Sequence, residues 1–241
     1  ACRDFAHGHI RRCLGPGVGP LGQRMPPARA PPPAAAHAPA APVAHASLGG
    51  LWLVSDFISQ SEETELIRWL DGPATAPWVL RNFNGPARGK RWGVRTDLRL
   101  RTVTDDCEGM PPQLDALAAR MQLVAPSALG DFWPNEANAL DYDRAAGHHI
   151  AAHCDDRQLS GEVLVNLSLC GDAFMTYTHD RKPLPPVRVR LPRRSLQIQT
   201  GDVRFNWRHA IENADLCGPR RVSITFRRAA VGAATGSAPT P

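Results

Sequence analysis

No apolar run in the 241-residue chain approaches the ~20 residues that a membrane-spanning helix needs, so the chain reads as a soluble protein with no membrane contact. Cys-x-x-Cys is missing too. The six cysteines (Cys2, Cys13, Cys107, Cys154, Cys170, Cys217) have no regular spacing, which argues against a disulfide framework and for reduced thiols inside a cell. No acidic residue occurs from Phe5 to Ser55, and Pro16 to Ser47 is mostly Pro, Ala and Gly. Such a composition cannot bury enough apolar surface to offset chain entropy. Residues 1–47 are therefore expected to form a disordered tail. Its basic, acid-poor character also fits an organellar transit peptide, so cytoplasm, nucleus and an organelle all stay open. His149 and His153 have the helical His-x-x-x-His spacing of zinc proteases, but Ile150 stands where those enzymes place a general-base glutamate. That class is rejected.

What remains, residues 48–228, is long enough for one domain with a proper core, followed by a short flexible tail at 229–241. Leu51 to Val54 reads as a strand. Ser59-Gln60-Ser61-Glu62 is a capping box, a hydroxyl followed three residues later by a carboxylate, and predicts a helix to about Leu70 with Leu66, Ile67 and Leu70 buried. Asp71-Gly72-Pro73 ends it. A second helix is expected from Gln113 to Val124, with Leu114, Leu117 and Met121 inward. Trp78 to Val103 looks like strands joined by Gly-rich turns, and strand signals dominate from Ala137 onward. Val163, Val165, Leu167 and Leu169 alternate with Leu164, Asn166 and Ser168, and Ala173 to Thr178 is expected to pair with that strand through the turn Cys170-Gly171-Asp172. Val187 to Leu191, Leu196 to Ile198, Val203 to Phe205 and Val222 to Arg227 complete the series. Short strands, regular turns and two preceding helices predict a mainly β fold with flanking helices, a double-sheet jelly roll.

The net charge of +5 is uneven. Arg81, Arg88, Lys90, Arg91, Arg95, Arg99 and Arg101 are opposed only by Asp97, with Phe83 and Trp92 interleaved. This basic segment, 81–101, reads either as a solvated surface or as a contact for an acidic partner, nucleic-acid phosphate or protein.

The chemistry concentrates between Leu140 and Asp155. His153-Cys154-Asp155 is a His-x-Asp, and in an extended strand residues two apart share a face, so imidazole and carboxylate can reach one metal. His209 is the natural third ligand. Two histidines and one carboxylate with open positions make up the ligand set of non-haem Fe(II) oxygenases. Cys154, between two of them, points to the opposite face and takes a structural role. Further on, Arg221-Val222-Ser223-Ile224-Thr225-Phe226-Arg227 alternates polar and apolar residues as a half-buried strand does. Its two arginines, roughly 20 Å apart along the strand, leave a gap suited to a small dicarboxylate, which a guanidinium fork pairs through two hydrogen bonds.

In this order, Tyr142, His153-x-Asp155, His209 and Arg221-x-Ser-x-Thr-Phe-Arg227 resemble the AlkB-like Fe(II)/2-oxoglutarate dioxygenases. Gly50 to Phe57, Ala139 to Tyr142, the doubled Asp155-Asp156 and Trp207 to Ile211 are most similar to the fourth animal homologue's branch, linked to lysine demethylation on actin. The resemblance implies the double-stranded β-helix fold, with His153, Asp155 and His209 on iron and Tyr142, Arg221, Ser223 and Arg227 around 2-oxoglutarate. Arg221 would hold the far carboxylate and Arg227 the near end. It also implies O2 as cosubstrate and hydroxylation of an N-methyl carbon, with loss of formaldehyde. Two departures stand out: Leu140 and Ser223 occupy positions where the family commonly has asparagine. The expected substrate is methylated lysine in a protein such as actin. A methylated base in DNA or RNA is the alternative, and a catalytically silent binding scaffold is the reading from another class.

Overall fold

Strict polar–apolar alternation lets one sheet bury both of its faces, one against helices and one against a second sheet. The computed structural model describes residues 37–82, 84–105 and 109–230. The rest of the expected N-terminal tail, Cys2, Cys13, Phe83, Cys107 and residues 231–241 lie outside them. In chain order the elements are β1 (Val43–Ala44), β2 (Leu51–Val54), α1 (Gln60–Asp71), β3 (Val79–Arg81), β4 (Ala87–Gly93), β5 (Arg95–Asp97), β6 (Thr102–Thr104), α2 (Pro112–Val124), α3 (Pro126–Leu129) and β7 (Glu136–Asp143). Then follow β8 (Ile150–His153), β9 (Ser160–Leu169), β10 (Ala173–His179), β11 (Val187–Leu191), β12 (Leu196–Gln199), α4 (Gly201–Asn206), β13 (Trp207–Ile211) and β14 (Arg220–Ala229).

Eight strands form the larger sheet in the order β1-β2-β12-β9-β14-β7-β4-β3, and four form the smaller one, β11-β10-β13-β8. β5 and β6 pair separately as a hairpin. The first pairing, Val43 with Leu53 and Ala44 with Trp52, starts before residue 48. On the outer face of the larger sheet, Val165, Leu167, Val222, Ile224 and Phe226 pack against Leu66 and Leu70 of α1 and Leu114, Leu117 and Met121 of α2. A second apolar cluster, including Tyr142, Met175, Tyr177, Trp207 and Ile211, fills the space between the sheets. This is the expected jelly roll with helices supporting one sheet from outside.

Helix α1 forms as its capping box predicts. The Ser59 hydroxyl accepts from the Glu62 amide at 3.2 Å, and the Glu62 carboxylate accepts from the Ser59 amide at 2.8 Å. Two expectations fail. Ala173 to Thr178 does not pair with β9: β9 lies between β12 and β14, and β10 between β11 and β13 in the other sheet. The intervening turn is a corner between sheets. Cys170 has φ +66°, and a side chain on Gly171 would meet the Arg220 carbonyl at 2.5 Å, so the chain is pressed against β14 as it crosses. Val203-Arg204-Phe205 is also no strand but part of α4. Gly201, at φ +51°, breaks the extended run that ends at Gln199, and three alternating residues are too few to specify a strand.

Candidate metal and dicarboxylate site

β8 and β13 are antiparallel neighbours, and the register makes His153 and His209 direct partners. Their rings are 4.4 Å apart, centroid to centroid. β8 ends at His153, so Asp155 is not on a paired strand as expected. The chain nevertheless brings its Oδ1 to 3.3 Å from His153 Nε2. Ligand atoms of His153, Asp155 and His209 all lie within 4.8 Å of one another, a spacing one metal ion can bridge.

The protonation states suit a metal. His153 Nδ1 is 2.8 Å from the Ala151 carbonyl, which can only accept, so Nδ1 carries the proton and the Nε2 lone pair is free. Burial, reinforced by the neighbouring His153, pushes the His209 pKa down to about 3 and keeps that imidazole neutral. Burial opposes ionisation of Asp155, but the charge of the neighbouring Arg227 leads the effects that outweigh it and hold the carboxyl well below its usual range. Arg227 donates to Asp155 Oδ2 through Nε at 2.9 Å and Nη2 at 2.8 Å. Two imidazoles beside a carboxylate make up the donor set that Fe(II) of this type takes.

At the other end of β14, Arg221 is only 1% exposed. Its Nη2 donates to Ser168 Oγ at 2.9 Å and Asn166 Oδ1 at 3.3 Å, and its guanidinium lies 5.4 Å from the Tyr142 ring centroid. Its Nε has no hydrogen-bond partner, and no carboxylate forms an ion pair with it among the described residues. A buried cation without a counter-charge is costly. A ligand carboxylate would complete it, and 2-oxoglutarate has one to spare. Burial raises the Tyr142 pKa, so the phenol keeps its proton and can donate. Both arginines, Tyr142, Ser223 and the three metal-ligating candidates line a single pocket.

Sequence reasoning missed several contributors. Asn166 and Ser168 hold Arg221 from β9, and Asn166 Nδ2 also donates to Thr225 Oγ1 at 2.8 Å. Gln197 and Gln199 line the pocket from β12, and Gln197 Nε2 donates to Tyr177 Oη at 2.8 Å. Their polarity in otherwise apolar strands was the available signal; which strand adjoins β14 was not.

The basic segment divides. Lys90 is buried, donates to the Leu70 carbonyl and to Thr75 Oγ1, and sits 4.7 Å from the Trp78 ring. Arg88 pairs with Asp141 at 2.7 Å and Arg101 pairs with Asp156. Arg81, Arg91, Arg95 and Arg99 are exposed and form no ion pair among the described residues. Desolvation, then repulsion from Arg81, lowers the Arg91 pKa, with Glu136 opposing the shift.

Residues 50–227 match the family described as the 2OG-Fe(II) oxygenase superfamily. The chain belongs to that superfamily. Its members use Fe(II), 2-oxoglutarate and O2, and the donor set and the unpaired Arg221 described above fit both metal and cosubstrate. Within the superfamily the chain is similar to AlkB-type proteins. It is 30% identical over 190 residues to a DNA N6-methyl adenine demethylase of Caenorhabditis elegans, covering 78% of this chain and 63% of that protein. It is 29% identical to the human alpha-ketoglutarate-dependent dioxygenase alkB homolog 4, covering 74% of this chain and 66% of that one. The chain thus spans just under two thirds of either relative. Its fold is similar to the solved structure of OsALKBH1, with TM-score 0.59 at 16% identity over 74% of this chain and 96% of that one.

Proposed function

We propose that the chain is an Fe(II)- and 2-oxoglutarate-dependent oxidative N-demethylase. The observation that carries this is the His153–Asp155–His209 cluster sharing one pocket with a buried Arg221 that lacks a carboxylate partner. His153, Asp155 and His209 would hold the iron. Arg221 would take the far carboxylate of 2-oxoglutarate, with Tyr142 and Ser223 hydrogen-bonding beside it. Arg227 would support the near end while keeping Asp155 anionic. Bound iron supplies O2 activation coupled to conversion of 2-oxoglutarate into succinate and CO2. The protein's part is positioning and dryness: Leu140, Ile150, Met175 and Ile211 contribute apolar pocket wall. Hydroxylation of an N-methyl carbon gives a hemiaminal, which collapses to formaldehyde and a free amine.

The first substrate reading is methylated lysine in an actin-like protein, and what supports it is the resemblance to the branch that holds alkB homolog 4. The second is a methylated base in nucleic acid. It is favoured by the exposed Arg81, Arg91, Arg95 and Arg99, which suit a phosphate backbone, and by the relative named as a DNA demethylase. A base would have to leave its stack to reach the pocket. Formaldehyde release from methyl-lysine peptides and methylated oligonucleotides, compared at equal concentration with Asp155→Ala as control, separates them. Faster turnover of peptide supports the first reading and faster turnover of oligonucleotide the second. Release that survives Asp155→Ala, or no release from either substrate class, counts against the proposed activity.

A further inference from the structure

Arg204 is 1% exposed, yet no carboxylate pairs with it among the described residues. Its guanidinium is spent on backbone carbonyls instead. Nη1 donates to Asp155 O at 3.1 Å, Nη2 to Asp156 O at 2.7 Å and Ser160 O at 3.3 Å, and Nε to Gly161 O at 3.3 Å. These four carbonyls span the loop that leaves the metal cluster and enters β9. Arg204 itself sits on α4, which runs directly into β13 and His209. One side chain therefore ties the segment carrying Asp155 to the element carrying His209.

Such a tie has a specific job here. Pairing between β8 and β13 fixes His153 against His209, but Asp155 lies past the end of β8, where no ladder holds it. Arg227 grips its carboxylate, and Arg204 grips its carbonyl from the β13 side, while the flanking Cys154 Sγ and Arg157 Nε donate to the Trp207 and Phe205 carbonyls. The Arg204 guanidinium has five N–H donors in a rigid plane and reaches four carbonyls here, whereas a lysine offers three donors from a single nitrogen. We infer that Arg204 is a positioning residue for the metal site, setting where Asp155 stands relative to His209. This rests on the proposed iron site, but its metal-affinity readout needs no turnover.

The test is metal affinity, measured anaerobically by titrating Fe(II), with Co(II) as a spectroscopic stand-in, into wild type, Arg204→Met and Arg204→Lys. Loss of an outer partner of a metal site typically costs 10- to 100-fold in affinity. Arg204→Met is expected to weaken metal binding by about that factor, with Arg204→Lys in between and a distorted Co(II) spectrum in both. The apparent KM for 2-oxoglutarate at saturating metal should stay within about twofold, because Arg204 does not line the cosubstrate end of the pocket. A folded Arg204→Met or Arg204→Lys with wild-type metal affinity and spectrum would overturn the inference. So would failure of both variants to fold, since the residue's role would then be structural. Wild type that binds no metal would instead sink the proposed function.

Discussion

Arg221 shows how a single residue can be left unsatisfied by the fold and completed by a ligand. Its burial lowers its pKa, and its Nε lacks a hydrogen-bond partner, so in the proposed function the 2-oxoglutarate carboxylate completes it. Arg221→Met should raise the KM for 2-oxoglutarate by about 10- to 100-fold, the worth of a charged hydrogen bond. It should leave the unliganded protein no less heat-stable, because a buried uncompensated charge has gone. Steady-state kinetics and a thermal melt check both halves. Glu62 makes the pH counterpart. A hydrogen bond from Arg120 holds its carboxyl at about 2 against an ordinary value of 4.5. A depressed folded pKa contributes stability above the unfolded value and loses it as pH falls toward the folded one. Stability should therefore decline between about pH 4.5 and 2, and Glu62→Gln should flatten that slope in urea titrations.

Elements differ in how far local chemistry decides them. α1 was legible because Ser59 and Glu62 satisfy each other within four residues. Ser59→Ala should cost about 1 kcal/mol, read from the urea midpoint at unchanged m. β14 was legible because seven residues, Arg221 to Arg227, alternate without a break, placing Arg221, Ser223 and Arg227 on one face. α4 was not. Its Val203-Arg204-Phe205 has a strand's alternation, but Gly201 and the four carbonyls awaiting Arg204 decide for a helix. The corner at Cys170 escaped for a related reason: Gly171 signals a tight turn but not which sheet the next strand joins. Ile224, fully buried where β14 meets the helices, should lose about 2–5 kcal/mol on substitution by alanine.

Across the whole molecule, the order β1-β2-β12-β9-β14-β7-β4-β3 brings together residues far apart in sequence, and no local pattern encodes that. The metal-ligating candidates could still be read in advance, because few residue types bind iron and their spacing survives any fold. Asn166, Ser168 and Arg204 could not, because their importance depends on which strand adjoins β14 and which loop lies under α4. Nor could the basic segment be sorted: Lys90 looks like its neighbours in sequence but is sealed beneath Trp78. These scales meet in the proposed function, because the two sheets bring the metal-ligating candidates and Arg221 into one pocket. The most direct measurement is anaerobic addition of Fe(II) and 2-oxoglutarate, followed by O2, to wild type and His209→Ala. A metal-to-ligand charge-transfer band and succinate release in the wild type, both lost in His209→Ala, are the predicted result. Wild type that shows neither, or His209→Ala that keeps both, would contradict it.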